Sequence, residues 1–515
     1  MPSIVSVGRH SYRTAGRPAA WRATTGRPLG WTVVSTSVSS VGDPVTSPAD
    51  LVPVPEAADH LGEVFARAGH RLHLVGGTVR DALLLRPSED LDFATDARPE
   101  TVLELVSGLG GTWTTGIEFG TVGVLVRGVR CEITTYRADR YDRVSRNPLV
   151  AYGDSLTDDL RRRDFTMNAM AVSVPGHEFT DPYGGLRDLA TGTLRTPADP
   201  RESFADDPLR MLRAARFVSQ LGVTPTADVV AAMSELAPEI GRITAERVQV
   251  ELTKLVLGAH PRRGLELLVD TGLADVILPE LSALRMEIDE HHQHKDVYAH
   301  SLTVLDRAIA LEDSGPDGGP DLVLRLAALL HDVGKPATRR HEPGGGVSFH
   351  HHEVVGAKLV RSRLRALRYP KEVVEDVARL TLLHLRFHGY GRGEWTDSAV
   401  RRYVTDAGPL LPRLHKLVRS DCTTRNQRRA AALAHSYDLL EERIARIEAE
   451  EDLRAVRPDL DGNEIMAILG LPPGPLVGKA WRHLKELRLD RGPLPHDEAV
   501  AELRRWAAEQ DRRRS

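Results

Sequence analysis

At 515 residues, the chain is too long for one ordinary core and points to three or four domains. Its 41% apolar and 27% charged residues are those of a globular protein in water, and no apolar run approaches the ~18 residues of a membrane span. With 68 Lys+Arg against 72 Asp+Glu, the formal net charge of −4 excludes a generally basic surface, so any nucleic-acid contact must rest on locally concentrated charge. The two cysteines, Cys131 and Cys422, are far apart and form no CxxC pair. They exclude a disulfide scaffold and lead to the expectation of a reducing, cytoplasmic setting.

Residues 1–52 are rich in Ser, Thr, Val, Gly and Arg without periodicity, and are expected to be a disordered extension. Residues 53–197 are mixed. RLHLV reads as a buried strand, TVRDALL as a helix, DLDFAT as a strand, and TVGVLVRGVRCEITTYR as two strands around a tight Arg-Gly turn. From about residue 200 onward, long amphipathic helical patterns dominate, among them DPLRMLRAARFVSQL, ERVQVELTKLVLG, DLVLRLAALLHDVG and EVVEDVARLTLLHL. Gly/Pro-rich loops such as DSGPDGGPD and HEPGGGVSFH punctuate this part. The expectation is a small α/β head followed by a long helical body.

In LVGGTVRDALLLRPSEDLDFAT, Gly76 and Gly77 make a tight turn into a helix whose N-terminus favours an anion such as a triphosphate. Arg80 falls in its first turn, where a guanidinium can grip phosphate oxygens. On the following strand Asp90 and Asp92 share one face, while Leu91 and Phe93 share the other. Two carboxylates side by side repel unless a cation lies between them, and hard oxygen ligands suit Mg²⁺. Glu132, in CEITTYR, is placed to complete the cluster from a neighbouring strand. Such a trio serves phosphoryl or nucleotidyl transfer.

These residues resemble the class II CCA-adding and poly(A) polymerase family of nucleotidyltransferases. Three further segments carry the resemblance: DLRRRDFTMNAMA from Asp159, DDPLRMLRAARF from Asp206, and TAERVQVEL from Thr244. It implies a polymerase-beta-like α/β nucleotidyltransferase head over 53–197, an all-α neck over 198–285, an HD domain over 286–425 and a helical RNA-binding body over 426–515. It further implies that Gly77 and Arg80, in the turn begun by the nucleotide-facing Gly76, contact the triphosphate, that Asp90 and Asp92 bind the catalytic Mg²⁺ beside Glu132, the third catalytic carboxylate of the reading above, and that Arg163 and Asp164 hold sugar and phosphates. Asp207 and Arg210 would read the incoming base, with Arg213 and Arg216 facing the nucleotide from the same helix. The chemistry agrees: cytosine and adenine both offer an amine beside an acceptor. Guanine and uracil put a carbonyl there and would leave Asp207 facing another acceptor, at a cost of about 1–3 kcal/mol. The polar segment 137–155 corresponds to a loop implicated in the family in switching from C to A addition.

A second constellation lies further along the chain. HDVGKP from His331, with His300 upstream and His352, His384 and Asp421 downstream, resembles an HD domain, which gathers these ligands around divalent metal. Lys335 could steady a phosphate. The HHQH run at 291–294 and His350 and His351 are set aside as ligands. The reading is a CCA-adding tRNA nucleotidyltransferase acting on the tRNA 3′ end with CTP and ATP, with no membrane association. A poly(A) polymerase, an HD phosphohydrolase with an inert head, and an RNA-binding scaffold are the alternatives.

Overall fold

The computed structural model describes residues 52–512, apart from 87–89, 118–119, 138–151, 286–295, 314–317, 344–345, 388–394, 423–425 and 451–456. The expected N-terminal extension apart from Val52, most of the 137–155 loop and the HHQH run therefore lie outside the described residues.

Seven strands form the sheet of the head: β1 (Leu72–Val75), β2 (Asp90–Thr95), β3 (Thr112–Trp113), β4 (Thr121–Val126), β5 (Val129–Thr135), β6 (Ala171–Val174) and β7 (Phe179–Thr180). Their order is β3-β4-β5-β2-β1-β6-β7. The β4–β5 hairpin turns at Arg127 (φ 51°) and Gly128 (φ 83°), both left-handed, as a tight two-residue hairpin requires. β2 lies parallel to β5 and antiparallel to β1. Leu91 and Phe93 are buried in the same apolar core as Leu61 and Phe65 of the Glu56–Arg67 helix and Val102 and Val106 of the Pro99–Val106 helix. The opposite face is left for Asp90, Asp92 and Glu132.

The helix Leu209–Leu221 buries Met211, Leu212, Ala215, Phe217 and Val218 and ends at Gly222 (φ 68°), whose left-handed conformation satisfies the last turn. It packs on the helix Ala245–Val256. Between them the region is helical except for a short parallel pairing of Thr224–Pro225 with Thr193–Leu194, a departure from the all-α expectation. Arg325, on the helix Leu322–Leu330, joins this neck to the helices of the next domain. Its Nη1 donates to the carbonyls of Val256 (2.9 Å) and Gly258 (2.8 Å), while Nε and Nη2 hold the Glu312 carboxylate at 2.7 Å each. The Ala245–Val256 helix thus has a buried guanidinium against its last carbonyls, where positive charge is favoured.

The helices Val297–Ala310, Leu322–Leu330, His352–Ala366, Lys371–Leu383 and Leu411–Asp421 pack together. Asp296 and Asp321 cap the first two by accepting from Tyr298 and Leu324 N–H. Around the HEPGGGVSFH segment, read as a loop, Arg340–His341 pairs antiparallel with Val347–Ser348. Beyond the long helix Gln427–Glu450, three helices (Gly462–Leu469, Pro475–Arg491 and His496–Arg512) enclose a separate small core of Ile465, Ala480, Leu484, Ala499 and Leu503.

Candidate functional site

In the β2–β5 ladder, Asp92 sits directly opposite Glu132 and Asp90 opposite Arg130, so the three carboxylates rise from one face. Asp92 is anchored through its N–H, which donates to Thr78 Oγ1 at 2.9 Å. Burial pushes its carboxyl up from the usual range, Glu132 and Asp90 add to the rise, and Arg163 and Arg80 oppose it. A hard cation among these oxygens would relieve the repulsion, so the donor set fits Mg²⁺.

Gly76 has φ 70°, and a Cβ there would lie 2.8 Å from Arg163 Nη1 and 3.8 Å from Asp92 Oδ2. The first glycine therefore lets Arg163 cross beside the acids. From there the surface opens into a cleft of about 240 Å³ lined by Arg163, Asp164, Asp207, Leu209, Arg210, Arg213 and Arg247. A second cavity of about 230 Å³ shares Arg163 and Arg210 and adds Thr134, Arg137, Asp159 and Arg162. Local concentration of arginine is thus achieved in a chain of net negative charge.

The cleft residues are held by one another. Asp164 is buried; its Oδ1 accepts from Phe165 N–H and Asn168 Nδ2, and its Oδ2 from Arg213 Nε at 2.8 Å and Nη2. Although burial opposes it, the Arg213 guanidinium keeps the Asp164 carboxyl below the usual range. Arg210 Nη1 donates to Ser203 Oγ (2.8 Å) and Nη2 to the Arg162 carbonyl (2.6 Å). Asp207 accepts from Leu209 N–H (3.1 Å) on Oδ1 and from Arg247 Nη2 (2.9 Å) on Oδ2. Replacing Asp164 by Ala is expected to cost about 3 kcal/mol in a urea melt, because Arg213 loses its buried counter-charge. The same change should loosen the cleft wall.

At three positions the contacts within the protein differ from the simplest expectation. Arg80 is not turned out toward an anion: Nε and Nη2 engage the Asp81 carboxylate at 2.9 and 2.7 Å, and Nη1 engages Asn168 Oδ1 at 2.6 Å. Its guanidinium lies over the Phe217 ring and braces the glycine-led helix against the neck. Arg216 is absent from the cleft lining; it is buried beside Glu251, with Nε 3.1 Å from Oε2. A step of three residues advances a helix by about 300°, so Arg216 has drifted about 120° from Arg210. Asp164 lines the cleft, and both its oxygens accept hydrogen bonds from the protein, Oδ2 from Arg213. The residue overlooked is Arg247. It stands within the TAERVQVEL segment, but its meeting with Asp207, forty residues away, has no local signature.

All six ligand candidates of the second constellation converge. His300, His331 and Asp421 form one triad and Asp332, His352 and His384 another, the ligand atoms within each lying inside 4.8 Å. Asp332 links them: Oδ2 is 3.2 Å from His331 Nε2 and 3.6 Å from His300 Nε2, while Oδ1 is 3.3 Å from His352 Nε2 and 4.0 Å from His384 Nε2. Nδ1 of His331, His352 and His384 faces the carbonyl of Ala328 (2.9 Å), Phe349 (2.8 Å) and Thr381 (2.6 Å). A carbonyl can only accept, so each Nδ1 carries a proton and each Nε2 is directed inward. Those three Nε2 atoms are buried without a hydrogen-bond partner among the described residues. Burial drives His384 down to about 3, reinforced by His331. Burial also opposes charge on His331, but Asp332 and Asp421 outweigh it and push it up to about 10. The donor set fits divalent metal, and Asp332 directs one carboxylate oxygen toward each triad. Gly334 makes the assembly possible: a Cβ there would meet the His352 carbonyl at 2.0 Å, so only glycine lets the HDVGK turn press against the His352–Ala366 helix. Lys335 Nζ is 3.0 Å from Asp332 Oδ2. His351 is exposed and stays outside the cluster.

A carboxylate trio on the parallel β2–β5 pair, an arginine-walled cleft and a separate histidine–aspartate cluster are the arrangement of a nucleotidyltransferase head joined to an HD domain. Comparison with known proteins agrees: residues 72–195 match the poly A polymerase head domain, 222–284 the probable RNA and SrmB-binding site of polymerase A, and 297–426 the HD domain. The A-adding tRNA nucleotidyltransferase of Deinococcus radiodurans is 35% identical over 447 residues, spanning 85% of this chain and 95% of that one. The CCA-adding enzyme of Anoxybacillus flavithermus is 33% identical over 356 residues, 69% of this chain and 76% of that one. The crystal structure of the Bacillus stearothermophilus CCA-adding enzyme in complex with CTP superposes with a TM-score of 0.62 at 26% identity, covering 89% of this chain and all (100%) of that one. The chain belongs to the tRNA nucleotidyltransferase family of the CCA-adding enzymes, and it is an enzyme of the nucleotidyl-transfer class. Among the described residues, no helix is long and apolar enough to cross a membrane.

Proposed function

We propose that this chain adds C, C and A to the tRNA 3′ end from CTP and ATP. The observation that carries the reading is Asp207 and Arg210 lining one cleft whose wall, through Arg163, reaches the Asp90–Asp92–Glu132 trio. The terminal ribose hydroxyl attacks the α-phosphate, a phosphodiester bond forms and pyrophosphate leaves. Asp90, Asp92 and Glu132 would hold Mg²⁺, which supplies charge stabilisation for the attacking and leaving oxygens. Arg163 and Arg213 neutralise the triphosphate, and Arg213, fixed beforehand by Asp164, needs no reordering when the nucleotide arrives. Asp207 accepts from the exocyclic amine that cytosine and adenine share, and Arg210 donates to the neighbouring ring acceptor. Phosphate contacts along the arginine-rich helices after residue 426 would grip the tRNA and make its binding salt-sensitive.

Primer extension on a tRNA transcript ending before CC, with CTP and ATP separately and together, tests this. Three additions needing both nucleotides are expected. The likeness to the Deinococcus radiodurans A-adding enzyme favours a second reading, in which only a transcript already ending in CC is extended, by one A. A long A ladder without CTP would make the chain a poly(A) polymerase, and two C additions and a halt a CC-adding specialist.

For the second site we infer divalent-metal phosphohydrolase chemistry. His300, His331 and Asp421 would hold one ion, Asp332, His352 and His384 another, and Lys335 would steady a phosphate. When bound, such ions supply the Lewis acidity that phosphoester hydrolysis needs.

A further inference from the structure

We propose that Arg247, on the neck helix Ala245–Val256, is a specificity-determining positioning residue: it fixes the carboxylate of Asp207 in the orientation that selects the incoming base. The proposal rests on the reading of Asp207 as the acceptor for the base amine. A carboxylate offers about four lone-pair directions. In Asp207, Oδ1 spends one on Leu209 N–H and Oδ2 spends one on Arg247 Nη2, at 3.1 and 2.9 Å. The two contacts come from different elements, the Leu209–Leu221 helix itself and the neck helix behind it. Together they stop rotation about the Cβ–Cγ bond, and they leave lone pairs for an amine entering the cleft.

The neck helix is matched to this task. Four residues beyond Arg247, on the same face, Glu251 meets Arg213 Nη1 at 3.6 Å and Arg216 Nε at 3.1 Å. Arg247 thus answers the acid just ahead of the Leu209–Leu221 helix and Glu251 answers that helix's arginines, so the pairing registers one helix against the other. Both Arg247 and Asp207 line the cleft, together with Arg210. The Arg247 side chain is 51% exposed and that of Asp207 33%, so the pair is screened by water and is weak as a support of the fold. Its effect lies in orientation. Without Arg247, the carboxylate can turn away, and a base presenting a carbonyl no longer confronts a fixed acceptor.

The experiment compares wild type, Arg247→Gln, Arg247→Lys and Asp207→Asn by steady-state addition to tRNA transcripts with CTP, ATP and UTP, alongside thermal melts. For Arg247→Gln, KM for CTP and ATP is expected to rise several-fold, more than kcat falls. Discrimination of CTP over UTP should drop by about tenfold, the loss expected when a polar mismatch is no longer enforced. Arg247→Lys should recover part of that discrimination. Equal losses for CTP and UTP with Arg247→Gln would overturn the proposal and leave Arg247 as a plain charge in the cleft. A fall in melting temperature with discrimination intact would also overturn it. Asp207→Asn separates the two layers. If it shifts base selection while Arg247→Gln does not, only the role of Arg247 falls; if it leaves selection unchanged, the reading of Asp207 itself is wrong.

Discussion

Replacing Asp92 by Asn is expected to lower nucleotide addition by about 10³-fold or more, read as single-turnover extension of a tRNA transcript, with the protein still folded. Asp92 is the trio member set deepest in the sheet, facing Glu132 across the parallel ladder, with its backbone fixed by Thr78. Asparagine keeps the shape and removes the charge, so the loss reports on cation binding. The sign of the stability effect is opposite. Burial, then Glu132 and Asp90, raise the Asp92 pKa in the folded chain, so its ionised form is disfavoured there. Stability is therefore withdrawn as the pH rises above the unfolded carboxylate value, and at neutral pH Asn should leave the melting temperature unchanged or higher. A variant that lost both activity and fold would contradict this account.

Asp332→Asn is the second large effect. Metal retained after dialysis, measured by elemental analysis, should fall sharply, with affinity reduced by at least about 100-fold. Asp332 is the ligand whose two oxygens face the two triads, so its loss disables both positions. His300→Ala, by contrast, should weaken chiefly the position shared with His331 and Asp421. Equal metal content in wild type and Asp332→Asn would refute the assignment of the cluster as a metal centre. Nucleotide addition should persist in Asp332→Asn, because the Asp90–Asp92–Glu132 trio is built wholly from the head.

What could be read from the chain was what local periodicity controls. Strand alternation placed Asp90 and Asp92 together and put Glu132 on a face of its own strand, and the parallel register then brought the three into line. The residues that gather in the second cluster were recognisable from the HDVGK turn and the resemblance of their order to an HD domain. What escaped was the partner chosen by each charged group. Arg80 takes the carboxylate of its own neighbour, Asp81, together with Asn168, because the helix lies against the neck. Arg216 takes Glu251, because a three-residue spacing drifts around a helix that turns every 3.6 residues. Arg247 meets Asp207 only once two helices distant in sequence are packed. Guanidiniums reach far and bind many acceptors, so their identity in the sequence says little about which acceptor wins. The order of the seven strands was equally hidden, since the parallel β2–β5 pairing depends on where β4 turns back and on β1 entering on the other side.

Arg325 has a mechanical meaning. A side chain that is itself buried and clamps Glu312 also holds the end of the neck helix by two carbonyls. A joint made this way is a rivet, not a hinge: swinging the HD helices away from the neck would break two buried hydrogen bonds from one guanidinium to main-chain carbonyls at once. The molecule is accordingly fitted to transmit strain across that seam and unsuited to swivel there. An RNA end that needed both chemistries would have to make the journey itself, leaving one site and arriving at the other.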